Sequence, residues 1–186
     1  KEMTISLLIK HNGNKGMLIS KSSNQSSTYV DYAIHMDNSI PSRGLIWGTG
    51  RSAGNGGDDV NAWMATDIIP SLNLWHHVLV TYQNSGGGIK RVYLNGQLVK
   101  QGTIGVKNAA NNNPLLIGSE FNREFWNGKI DDIRIYNRAL SETEIEQLYE
   151  LESPLHPLDS INGLALWLDA GNVDGKNNTT LSNGAS

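Results

Sequence analysis

At 186 residues the chain is long enough for one well-packed domain, or for one domain with a fragment of another, and too short for two ordinary ones. A formal charge of −3 and the lack of any Lys/Arg run exclude a broad positive field, so nucleic acid is not an expected partner. No apolar run approaches the roughly 20 residues that cross a bilayer, so no membrane insertion is expected of this segment, and the absence of cysteine excludes disulfides and thiolate metal sites.

Twenty glycines beside 38% hydrophobic and 18% charged residues describe short strands alternating with turns. "MTISLLI" places Met3, Ile5, Leu7 and Ile9 on one face of a strand. "MLIS" and "YVDYAIHM" follow as strands, the latter with Val30, Tyr32, Ile34 and Met36 opposed to Asp31 and His35. "GLIWG" and "AWMAT" read as short strands around "GTGRSAGNGGDD", whose composition is that of a long surface loop.

"LWHHVLVTY", Leu74–Tyr82, is apolar on both faces, as a central strand should be, and of His76 and His77 one is expected packed and the other partly exposed. "RVYL" and "QLVK" flank Asn95-Gly96, the pair suited to a type I′ turn. "PLLIG" and "WNGKIDDIRIY" supply two more strands. "ALSETEIEQLYE" then changes to helical spacing, with Ser141 and Glu144 placed as a capping box and Leu140 with Ile145 as its hydrophobic staple. About ten strands and one short terminal helix predict an all-β, two-sheet antiparallel sandwich.

"WHHVLVTY", "VYLNGQLV", "LLIGS" and "FWNGKIDDIRIYNRALSETEIEQLY", in this order, resemble a laminin G-like domain of the concanavalin A-like lectin and glucanase superfamily. The resemblance covers residues 1–151 and implies a jelly roll. The opening strands usual in such domains are missing from the front. Residues 152–162, with Pro154 and Pro157, read as a linker, and 163–186 resemble that missing opening. An apolar strand such as Leu164, Ala165, Leu166, Trp167 and Leu168 needs a pairing partner. It could close its own domain, open a further repeat, or be donated to a neighbouring copy; donation is the arrangement we expect.

Related hydrolases carry paired carboxylates on one strand, and no such strand is present. Glu142, Glu144 and Glu146 belong to the predicted helix, and no G-x-S-x-G elbow or zinc motif occurs. The chain is therefore not expected to be an enzyme. The resemblance implies Asp131, with Asp132 beside it, as a structural calcium site; hydrogen bonding to backbone or pairing with Arg134 is the alternative use of these carboxylates. Asp58 and Asp59 in the Gly-rich loop are a second calcium candidate, whereas Asp169 and Asp174 lack the EF-hand pattern. For glycans, Trp47 and Trp63 offer ring faces beside Arg51 and Asn55, with packing as their alternative role. The expected function is assembly or adhesion in a secreted or cell-surface, bacterial protein, joined to neighbouring copies or adjacent repeats by strand donation. Carbohydrate binding as an accessory module is the alternative.

Overall fold

The computed structural model describes residues 2–13, 15–22, 30–38, 43–49, 63–85, 88–103, 112–120, 123–151 and 164–168, with Val30 and 164–168 given by their backbone. Its strands are β1 (Met3–His11), β2 (Gly16–Ser22), β3 (Val30–Asp37), β4 (Gly44–Thr49), β5 (Trp63–Ala65), β6 (Trp75–Gln83), β7 (Ile89–Leu94), β8 (Gln97–Thr103), β9 (Leu116–Ile117), β10 (Gly128–Tyr136) and β11 (Leu164–Leu168). A single helix among these residues, α1, spans Glu142–Leu151.

The strands form a six-stranded sheet, ordered β11-β10-β1-β6-β7-β8, and a five-stranded sheet, ordered β5-β4-β3-β2-β9. Every pairing is antiparallel. This is the predicted two-sheet sandwich. The core lies between the sheets: Ile5, Leu7, Ile9, Val78, Val80 and Val92 from one meet Leu18, Ile34, Met36, Leu45 and Trp47 from the other. The strict alternation seen in "MTISLLI" follows from this, because each second side chain of β1 enters that core.

β10 departs from the alternation. Leu8 pairs with Asp131 and Ser6 with Arg134, so β10 spends one more residue than β1 over the same stretch. The extra residue is Asp132, whose φ of 49° is left-handed, a conformation Asp tolerates better than most residues. This bulge turns both Ile130 and Ile133, three apart, toward the core.

The local turn and cap chemistry follows the sequence. Asn95 and Gly96 have φ of 51° and 77°, as a type I′ turn requires. At the start of α1 the Glu144 N–H donates to Ser141 Oγ (3.3 Å) and the Ser141 N–H donates back to Glu144 Oε2 (2.9 Å). The helix lays Ile145 and Leu148 against Leu79, Tyr93, Tyr136 and Leu140, on the outer side of the six-stranded sheet.

The pairing of β11 corrects the expectation of strand donation. Ile133 pairs with Leu168, Arg134 with Trp167 and Ile135 with Leu166, all within one chain. The apolar strand thus satisfies its backbone groups on the free edge of β10, the self-closing one of the three arrangements.

Candidate functional site

The two sheets turn very different outer faces to their surroundings. On the five-stranded sheet, Asp31, Ala33 and His35 alternate with the core residues Tyr32, Ile34 and Met36, and Ile46 and Gly48 alternate with Leu45 and Trp47. Trp63 pairs with Gly48 across β4 and β5 and packs with Met17 and Ala33. Its ring lies so close over Gly48 that a Cβ there would approach Trp63 Cε3 and Cζ3 to 2.6 Å. The missing side chain of Gly48 is what seats the indole flat on the sheet, and Trp63 remains partly exposed.

A polar network lies toward the opposite edge of the same sheet. Ser22 Oγ donates to Glu120 Oε1 (3.0 Å), Arg123 Nη2 lies 3.0 Å from Glu120 Oε2, and Ser20 Oγ donates to the Ser119 carbonyl (3.0 Å). Glu120 and Arg123 are held opposite each other by reciprocal backbone hydrogen bonds of 2.9 Å. The carboxylate is therefore oriented by a tight turn as well as by its two partners. At the other end of the face, His35 Nε2 lies 3.4 Å from Glu124 Oε2. Burial holds the His35 pKa below its ordinary value, while the Glu124 carboxylate pulls it upward. Asp31 is also buried on this sheet.

The structure separates the two tryptophans that the sequence offered together. Trp47 is 0% exposed and inside the core, its Nε1–H donating to the Thr81 carbonyl at 3.2 Å. The Lys90 ammonium, itself buried, sits 5.7 Å from the Trp47 ring centroid and donates to the Trp47 carbonyl. Trp47 is thus a packing residue, which corrects its reading as a sugar contact; Trp63 is the partly exposed one of the two. Arg51, Asn55, Asp58 and Asp59 lie outside the described residues.

Asp131 and Asp132 are engaged within the chain. Asp131 Oδ1 accepts the Asp132 N–H (2.9 Å), and Asp132 Oδ1 lies 3.3 Å from Nη2 of the buried Arg134. A guanidinium beside one carboxylate opposes a second cation there, and the described residues hold no group of three or more His, Asp or Glu suited to a metal. These two side chains alone do not fit a calcium site.

On the six-stranded sheet the outer face is closed by α1. His77 Nε2 lies 2.7 Å from Ser6 Oγ, and the Tyr149 ring stacks on the imidazole at 5.8 Å. Burial, helped by the Arg134 charge, lowers the His77 pKa to about 3, so the ring is neutral. His76 is buried too, contrary to the expectation that one of the pair would show: its Nε2–H donates to the Ser71 carbonyl (3.0 Å) and its Nδ1 accepts from Asn95 Nδ2. The 66–74 connection covers it.

A family profile described as the concanavalin A-like lectin/glucanases superfamily matches residues 1–146. The chain belongs to that superfamily. Among solved structures it is similar to a putative carbohydrate binding protein from Bacteroides ovatus, at 17% identity and TM-score 0.65, covering 90% of this chain and 45% of that one. It is also similar to a heptameric SAP-like pentraxin from Limulus polyphemus, at 20% identity and TM-score 0.57, covering 80% and 69% of the two chains. A third is domain 4 of a GH43 extracellular arabinanase from Geobacillus stearothermophilus, solved with arabinotriose, at 18% identity and TM-score 0.55, covering 80% and 66%. The chain thus spans under half the length of the Bacteroides protein, and at these identities the likeness is one of fold. A search of curated protein sequences finds no match.

Proposed function

We propose that the chain is a non-catalytic carbohydrate-binding module of a secreted or cell-surface protein, with the outer face of the five-stranded sheet as its site. The observation that carries this reading is Trp63, partly exposed and laid flat on Gly48, with the Ser22–Glu120–Arg123 network on the same sheet. A flat indole takes the C–H face of a sugar ring, and a pre-oriented carboxylate accepts its hydroxyls. The printed descriptions of the Bacteroides and Geobacillus structures support the same reading.

A glycan array with the wild-type chain, followed by calorimetry on Trp63→Ala, tests it. Glycan binding that Trp63→Ala reduces by tenfold or more is the expected result. An array with no bound glycan, with or without calcium, would falsify it.

A further inference from the structure

Eight large apolar side chains are exposed among the described residues, and five of them, Ile69, Leu72, Leu74, Trp75 and Phe125, gather at one end of the sandwich. Phe125 is 62% exposed and Leu74 58%. Contacts to the turn that follows β1 place them together. The Asn73 N–H donates to the His11 carbonyl (2.8 Å), and His11 Nε2–H donates to the Pro70 carbonyl (2.8 Å). On the other flank the Met17 N–H donates to the Glu124 carbonyl (2.8 Å), and Asn12 Nδ2–H donates to Asn127 Oδ1 (2.9 Å). Two loops carrying exposed apolar side chains therefore bracket one turn.

The same end carries three lysines in a chain of net negative charge. Trp75, Lys10 and Lys129 lie in one row across β6, β1 and β10, and Lys15 is exposed on the bracketed turn. Lys10 directly opposes Lys129, and like charges so placed destabilise a strand pair unless an anion offsets them. Among the described residues the carboxylates at this end are Asp131, two rows inward, Glu124, in contact with His35, Asp37 at the end of β3, and Asp67, paired with Lys100. Exposed aliphatic side chains make no specific contact with sugar hydroxyls. A Trp and four other large apolar groups beside three lysines match the interface of an anionic bilayer, where the apolar groups enter the headgroup layer and the ammonium groups meet phosphate and carboxylate.

We propose that this end of the sandwich is a docking surface for anionic lipid, lying on the membrane without crossing it. The test is co-sedimentation of the full chain with phosphatidylcholine vesicles, with and without about one quarter phosphatidylserine, at low and high salt. Partition into the anionic vesicles only, weakened by salt, is expected. Lys10→Gln or Lys129→Gln should each weaken it by about fivefold, and Leu74→Ser with Phe125→Ser by about tenfold or more. Those four positions are exposed or half-exposed, so melting temperature should hold, as should the glycan binding that depends on Trp63. No partition into anionic vesicles, or partition indifferent to all these substitutions, overturns the proposal. So does a concentration-dependent dimer that Leu74→Ser abolishes without any vesicle binding, since the patch would then be an interface between copies.

Discussion

The outer faces of the two sheets begin from the same alternation and are buried by different means. On the six-stranded sheet, Thr4, Ser6, His77 and Leu79 point away from the core, and helix α1 buries them. Thr4 Oγ1 is drawn into that closure, donating to the Arg138 carbonyl and accepting the Leu140 N–H. On the five-stranded sheet, no helix among the described residues covers Trp63, Glu120 and Arg123, and the polar groups satisfy one another while the ring stays partly exposed. This second face is buried by other means: Met17, Ser20, Ser22, Asp31, Ala33 and Ile46 are each below 4% exposed, and Trp63 and Arg123 carry its accessible surface.

The sharpest way to break this comparison is to remove each tryptophan in turn. Trp47→Ala should cost about 3–5 kcal/mol in denaturant unfolding, because it empties the core and strands the Thr81 carbonyl. Trp63→Ala should cost about 1 kcal/mol or less while abolishing glycan binding. Near-wild-type stability of Trp47→Ala would show that the ring is not a packing residue.

A pH series probes the sealed face. His77 has its folded pKa lowered from 6.5 to about 3, so the unfolded chain binds the extra proton between those values. Stability is then complete above about pH 6.5 and declines toward pH 3, with a slope approaching about 1.4 kcal/mol per pH unit. His77→Gln should flatten that slope in melting temperature against pH; an unchanged slope assigns the acid sensitivity to another group.

Gly48→Ala acts on the outer face of the five-stranded sheet. The new Cβ displaces the Trp63 ring, which should cost about 1–3 kcal/mol and weaken glycan binding while the core tryptophan fluorescence stays unchanged. The smallest effect is at the helix start. Hydrogen bonds from Arg138 and Ser141 lower the Glu144 pKa to about 2, so its contribution is present above about pH 4.5 and fades as pH falls toward 2. Arg138→Gln should reduce that dependence, leaving the part due to Ser141, and, with both side chains about one third exposed, cost below about 1 kcal/mol. A loss above that limit would mean that α1 is anchored chiefly by this pair.

Much of the scaffold was legible because the signals are local. The Asn95-Gly96 turn, the Ser141–Glu144 cap and the doubly apolar β6 each depend on a few adjacent residues. The placement of Trp47 and Trp63 was not, since "GLIWGT" is apolar on both strand faces and alternation alone does not say which face meets the core. Glu120 escaped for another reason: its partner Ser22 is 98 residues away, and only the pairing of β2 with β9 brings them near. The spacing of Ile130 and Ile133 did carry a signal, three where a strand needs two, and it marks the Asp132 bulge. The tail announced a strand, but whether an edge belongs to the same chain or a neighbour is decided by topology, which no local pattern encodes.

The position of β1 has a consequence in time. It lies between β6 and β10, so during synthesis it waits for partners that both follow it much later; Thr4 and Arg138, which its closure joins, are 134 residues apart. At about 5–20 residues per second, β1 spends on the order of ten seconds with one apolar edge unpaired. The sheet closes around a strand made before both of its neighbours, and its folding should be slow and sensitive to anything that holds or hides that edge during synthesis.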